Sequence, residues 1–317
     1  MIKQIEIAEK TDVISIKSLE IALSTKCNLR CKYCGAYNDR NIYKKRLSVD
    51  QIIEILDTIS TLERIKLSGG EVTIDIDGCK KLGEYCKGRN LFYQINTNGT
   101  LLTHKDIMEL KNSGLSALHI SLNFTDAISY KRYYGVEEEI FEKIVSNIRF
   151  ASTELECVAE TLVFDKTLPN LVEINRFVAE LGVEGHEIQY GINQLNWQNG
   201  VSRKDVENFI FELCEKKAEE ILLYFSCFEF PEACKSYSRF EKFMNRNDIF
   251  FTNCIEGKQQ FHLSDNGDVV SCELIDTDKL GNIFEGFEIN SINGMLDNEK
   301  KRCLETCYHC RKKFYFS

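Results

Sequence analysis

Cys27, Cys31 and Cys34 stand in STKCNLRCKYCG, residues 24–35, with the spacing C-x3-C-x2-C. Thiolates are soft donors that suit zinc and iron–sulfur clusters. A structural zinc takes four nitrogen or sulfur ligands, often from two cysteine pairs. No fourth ligand is near, since the next histidine is His104. Three thiolates in one short loop instead suit a [4Fe–4S] cube whose fourth iron is left to another ligand. A second cysteine group closes the chain: Cys254, Cys272, Cys303, Cys307 and Cys310, the last three again spaced C-x3-C-x2-C. Six more cysteines, Cys79, Cys86, Cys157, Cys214, Cys227 and Cys234, are scattered between. Two spacing-constrained groups among fourteen cysteines fit metal clusters in a reducing, cytoplasmic setting better than a disulfide framework.

The elements that must hold these groups are legible from periodicity. With 317 residues, 43% hydrophobic and 28% charged, the chain is long enough for one large domain or two smaller ones. Strand-like and helix-like segments alternate from residue 19. The expected strands are 19–25, 64–71, 91–102, 116–124, 155–164 and 186–192. Helices are expected after Ser48, then at 77–88, 104–114, 137–152, 170–182 and, as one long helix, 204–225. Six such units predict an α/β fold, a partial (β/α)6 barrel of parallel strands with a small cysteine-rich extension built on a β-hairpin and a helix. Sites on such folds lie at the C-terminal ends of the strands, and the Cys27 loop follows the first strand there. The expected organisation is 1–225 for the barrel with an N-terminal strand, 226–253 for a bridging segment without clear periodicity, and 254–317 for the extension. No apolar run is long enough to span a membrane. The net charge of −9 and the lack of a basic tract argue against nucleic acid.

The cysteine loop, with Tyr33 before its last cysteine, resembles that of the radical S-adenosylmethionine (radical SAM) superfamily. The resemblance extends to Gly69-Gly70-Glu71, which matches the GGE motif after the second strand. It extends also to INTNGTLL, 95–102, similar to the third-strand segment of peptide-modifying members, and to Ser121 at the end of the fourth strand. It implies that Cys27, Cys31 and Cys34 hold a [4Fe–4S] cluster, that SAM takes the open iron, and that reductive cleavage of SAM gives a 5′-deoxyadenosyl radical. Tyr33, Gly69, Gly70, Glu71, Ser121 and Asn123 are its implied SAM-site residues. Many relatives carry an acidic residue and a glycine where this chain has Asn123 and Phe124.

Toward the C-terminus, Cys254, Gly267 and Cys272 resemble the opening of the SPASM and twitch extensions, and KLGNIFEG, 279–286, resembles their next segment. DNGDVVSC reads as a hairpin around a two-residue Asn266-Gly267 turn. Five cysteines before the chain ends at Ser317 match a twitch domain with one auxiliary [4Fe–4S] cluster. The resemblance assigns it to Cys254, Cys272, Cys307 and Cys310, with Cys303 as a spare or alternative ligand. In the nucleotide-cyclising branch a further cysteine follows, at a position this sequence does not contain. Cys227 and Cys234, in the bridging segment, are candidate hydrogen donors to a substrate radical.

The implied activity is modification of a ribosomally made peptide by cross-linking, oxidation or epimerisation. The alternatives are dehydrogenation of a small molecule such as an aminoglycoside precursor, and a non-catalytic iron–sulfur electron-transfer or scaffold protein. The 26 residues before Cys27 are too few for a winged-helix leader-binding domain, so a peptide substrate would dock on the barrel or on a separate leader-binding protein. The expected electron donor is of the flavodoxin or ferredoxin type.

Overall fold

A computed structural model describes residues 14–34, 45–189, 203–226, 237–251, 256–271 and 279–294. Strands β1 (Ser18–Ser24), β2 (Arg64–Gly69), β3 (Phe92–Thr97), β4 (Ala117–Ser121), β5 (Glu156–Leu162), β6 (Gly185–Gln189), β7 (Leu222–Ser226) and β8 (Ile249–Phe251) lie side by side in chain order. All these neighbours are parallel. Helices α1 (Val49–Asp57), α2 (Ile76–Arg89), α3 (His104–Ser113), α4 (Ala127–Tyr134), α5 (Glu138–Glu154), α6 (Leu171–Glu180), α7 (Arg203–Lys216) and α8 (Tyr237–Met244) make the crossovers. The sheet does not close: its edges are β8 and β11 (Gly281–Asn282). This is the expected α/β architecture, with the strand–helix series extended by two strands, β7 and β8, beyond the six expected. No helix of the described residues is long and apolar enough to cross a membrane.

The strands alternate strictly, because successive side chains point to opposite faces. Leu19, Ile21, Ile65, Leu67, Tyr93, Ile95, Leu118, Ile120, Cys157 and Ala159 are buried in one core with the helices. The other face of the same strands carries Glu20, Lys66, Gln94, Asn96, His119, Glu160 and Glu187, so the concave side of the sheet is polar and charged.

Local signals fix the helix ends. Ser48 and Gln51 form a capping box at α1, and Gly114, at φ 116°, ends α3 in the left-handed conformation. Helix α4 was not among the expected elements. Its tyrosines are middling helix formers, but Asp126 caps its start and Gly135 its end.

The expected helix over 204–225 is two elements. Helix α7 stops at Lys216 and 222–226 is β7. Lys217 Nζ folds back onto the carbonyls of Ala218 and Ile221 and pairs with Asp248 at 2.9 Å. Beyond this turn Leu223 and Phe225 enter the second core, around α6, α7 and α8, while Tyr224 takes the other face. The segment expected to lack periodicity contains α8 and β8.

The C-terminal hairpin joins the same sheet. Strand β9 (Gln260–Leu263) runs parallel to β1, and β10 (Asp268–Val270) returns antiparallel to it, followed by β11. Its turn is longer than the expected two residues. Ser264 N–H bonds to the Asp268 carbonyl, Gly267 N–H bonds back to Ser264, and Gly267 sits at φ 83°. This three-residue loop with a left-handed glycine turns Asp265 inward, where it is 1% exposed.

Candidate active site: the cysteine loop and the polar lumen

The loop after β1 carries Cys27, Cys31 and Cys34, each half-buried and in no disulfide. Cys34 N–H bonds to the Cys31 carbonyl at 3.1 Å, folding the C-x2-C segment into a turn. Leu29 N–H points at Cys27 Sγ at 3.4 Å, and Arg30 holds the Cys27 carbonyl at 2.7 Å. Burial and the neighbouring Cys34 push the Cys31 thiol up to about 12. The neighbouring sulfurs of Cys34 and Cys27 oppose ionisation of Cys31, and an added cationic centre reverses that penalty.

The glycine motif after β2 clasps this loop from below. Gly70 N–H bonds to the Ser24 carbonyl at 2.8 Å, and Glu71 N–H to that of Lys26 at 2.7 Å. A Cβ on Gly70 would lie 2.0 Å from the Lys26 oxygen, so only glycine allows this approach. The Glu71 carboxylate is buried. It accepts from Thr73 N–H at 3.0 Å, Thr97 Oγ1 at 2.6 Å and Asn98 N–H at 2.8 Å, and also from the Thr73 hydroxyl. The TNGT loop after β3 continues the clasp. Asn98 Nδ2 donates to Asn28 at 3.0 Å and approaches Cys27 Sγ at 3.9 Å, while Asn28 Nδ2 reaches Thr100 at 2.7 Å. From the hairpin, Asp265 accepts from Thr25 N–H at 3.2 Å and pairs with Arg46 at 3.3 Å.

In the lumen, a belt of ionisable groups crosses the strands. Lys66 Nζ is 3.1 Å from Glu20. His119 Nδ1 is 2.8 Å from Glu160 and 3.3 Å from Glu187. Asn96 Nδ2 donates to Glu160 at 2.6 Å, and the Ser226 hydroxyl donates to Glu187. Burial works against the imidazolium of His119, but its hydrogen bonds to the two glutamates outweigh that and push it up to about 9. Burial likewise opposes the charge on Lys66, and the Glu20 carboxylate overrides it. Such opposed shifts occur in functional sites and in structural ion-pair networks alike. His262 on β9 extends the belt, 2.6 Å from Glu256.

The donors of the loop fit an iron–sulfur cluster. Three soft thiols stand in one short loop, none is in a disulfide, and the Gly70 backbone packs against the start of that loop where a side chain would intrude. Residues 21–178 match the model of the radical SAM superfamily. The chain belongs to that superfamily. An uncharacterised protein of Methanocaldococcus jannaschii is 33% identical over 169 residues, 51% of this chain and 55% of that protein. A probable GTP 3′,8-cyclase of Methanococcus maripaludis is 30% identical over 173 residues, 53% of this chain and 56% of that protein. The chain therefore spans about half the length of both. The crystal structure of Streptococcus suis SuiB bound to the precursor peptide SuiA superposes with a TM-score of 0.66 at 16% identity, over 96% of this chain and 74% of that one. This likeness is one of fold.

Radical SAM proteins use a [4Fe–4S] cluster and SAM, and the residues expected to serve them converge here. Gly69, Gly70 and Glu71 border the cysteine loop directly. Ser121 ends β4 on the lumen side, in register with Glu160. Asn123 is buried and anchors Tyr33: its Nδ2 donates to the Tyr33 hydroxyl at 3.0 Å and to Tyr134 at 2.8 Å, while its Oδ1 accepts from Leu162 N–H. The Tyr33 ring packs against Phe164 at 5.2 Å. Cys79, Cys86, Cys157 and Cys214 are buried core thiols. Cys227, Cys234, Cys254, Cys272, Cys303, Cys307 and Cys310 lie outside the described residues.

The lumen residues Glu20, Lys66, Asn96, His119, Glu160 and Glu187 were not singled out from the sequence. For Glu20, Lys66, Asn96 and His119 the signal was present, as polar residues alternating with apolar ones in LEI, IKL, YQIN and LHI. A strand covered by helices on one face and polar on the other is either solvent-facing or lines a site, and curvature decides which.

Proposed function

We propose that the chain is a radical SAM enzyme that modifies a ribosomally made peptide, with the substrate in the lumen beside the cysteine loop. The observation that carries the enzymatic reading is the placement of three half-buried thiols, the Gly70 cradle and the charged lumen on one sheet. Bound at Cys27, Cys31 and Cys34, the cluster with SAM would supply the 5′-deoxyadenosyl radical that removes a substrate hydrogen. The chain's own residues then do three things. Gly70, Glu71 and Asn98 hold the loop in one conformation. Tyr33, Asn123, Tyr134 and Phe164 wall one side. Lys66, Asn96, Ser121 and Ser226, all half-buried, orient a polar substrate.

The peptide reading is supported by the TNGTLL segment, the SPASM-like hairpin and the fold shared with SuiB, whose complex contains a precursor peptide. On this reading an auxiliary [4Fe–4S] cluster at Cys254, Cys272, Cys307 and Cys310, with Cys303 in reserve, exchanges an electron with the substrate radical. Cys227 or Cys234 would supply a hydrogen where the outcome is epimerisation. A second reading, chemistry on a small polar molecule, is favoured by the charged lumen and by the cyclase relative.

The test is anaerobic reconstitution followed by mass spectrometry with SAM, dithionite and the peptides of neighbouring small reading frames. Deoxyadenosine with two hydrogens lost from one peptide, or one deuterium gained from heavy water, is expected. Deoxyadenosine with every peptide unchanged would overturn the peptide reading in favour of the small-molecule one.

A further inference from the structure

The lumen holds a set of donors that the chemistry at the cysteine loop does not use. His119, Glu160 and Glu187 come from adjacent strands β4, β5 and β6, and one atom of each lies within 4.8 Å of the other two. His119 and Glu160 are buried and Glu187 is half-buried. The Nδ1–oxygen separations of 2.8 and 3.3 Å match the edges of a coordination polyhedron, since bonds of about 2.0–2.2 Å put adjacent ligand atoms roughly 3–3.5 Å apart. We propose that His119 Nδ1, Glu160 and Glu187 form a mononuclear site for a divalent first-row cation, distinct from any iron–sulfur cluster.

Two further features support it. Each carboxylate has an outer donor that fixes its orientation, Asn96 Nδ2 on Glu160 and the Ser226 hydroxyl on Glu187. Such outer hydrogen bonds hold metal-binding carboxylates in place. The local charge also suits a dication. With His119 neutral, as a metal-ligating imidazole is, Glu20, Glu160 and Glu187 face one ammonium, Lys66, which leaves two negative charges. Arg64 interacts with both Glu156 and Glu187. One nitrogen with two carboxylate oxygens suits Mn²⁺, Fe²⁺ or Zn²⁺. With three protein ligands on one wall, the remaining positions face the lumen, as at metal sites that bind a substrate oxygen.

The same three groups also make an ion pair with a hydrogen on Nδ1, so the test separates the two. The anaerobically reconstituted protein, with its clusters oxidised, is titrated with Mn²⁺, and free Mn²⁺ is followed by electron paramagnetic resonance. Mn²⁺ prefers oxygen and nitrogen donors and avoids the cysteines. One Mn²⁺ bound per chain is expected, competed by Zn²⁺, lost in Glu187→Gln and weakened about tenfold in Ser226→Ala, which leaves all three ligands in place. Circular dichroism establishes that each variant is folded. No Mn²⁺ bound by the unmodified protein at millimolar concentration, or equal binding by it and both folded variants, would overturn the site and leave an ion pair.

Discussion

Gly70 is where a single atom decides whether the site can form. Its missing Cβ is what lets the Lys26 carbonyl approach, and a methyl group there would sit 2.0 Å from that oxygen. Backbone has to move, and the backbone in question begins the cysteine loop. Displacements on the 1 Å scale cost about 10²-fold in reactions that depend on alignment. Gly70→Ala is therefore expected to fold and to cleave SAM about 10²-fold more slowly, measured as 5′-deoxyadenosine per minute at equal iron content. Glu71 acts by a different route. It satisfies two backbone N–H groups and two hydroxyls while buried. Glu71→Ala strands these donors, and about 3 kcal/mol of stability should be lost in urea unfolding. The GGE motif was legible because its spacing from the cysteines is fixed. The bonds that Glu71 makes to Thr97 and Asn98 were not, because they join loops 26 and 27 positions apart.

At the scale of elements, most strands and helices followed from their periodicity and caps, Ser48 and Gly114 among them. Strand β7 did not. ILLYF carries apolar residues that serve a helix face or a buried strand equally, and only the Lys217 turn and the pairing with β6 and β8 separate them. That turn is testable. Lys217 has a side chain 2% exposed and is held by Asp248. Asp248→Asn leaves a buried ammonium with carbonyl partners alone, and about 3 kcal/mol should be lost in urea unfolding.

The junction of α6 with β5 and β6 gives a pH dependence. His186 is buried between Asn175 at 3.0 Å and Thr161 at 2.8 Å. Burial pulls its imidazolium down to about 3. The unfolded chain takes up a proton near the ordinary histidine value of about 6.5 and the folded chain does not, so stability present above that pH is lost as pH falls through it. From pH 7 to pH 5 this group should remove about 2 kcal/mol. Comparing urea unfolding of the protein and of His186→Gln at both pH values isolates the effect, because the variant should lack that part of the slope.

At the scale of the molecule, the C-terminal hairpin is continuous with the barrel sheet, and its turn reaches the start of the cysteine loop across 240 positions of sequence. Sequence spacing signalled the hairpin, but not that Asp265 would be turned inward onto Thr25 and Arg46. Asp265→Ala is expected to loosen this contact, lowering stability by about 2 kcal/mol and reducing iron retained per chain after gel filtration. The sheet also explains the polar lumen. Helices cover its convex side and consume the apolar residues, so charge gathers on the concave side beside the cysteines.

The central claim is that Cys27, Cys31 and Cys34 hold a cluster that engages SAM. The most direct measurement is the electron paramagnetic resonance spectrum of the dithionite-reduced, reconstituted protein with and without SAM, in the native chain and in the variant with all three cysteines changed to alanine. A reduced-cluster signal whose g-values shift on adding SAM, and which is absent from the variant, is the expected result. A variant that keeps the SAM-dependent shift, or a native protein whose signal ignores SAM, would contradict the account.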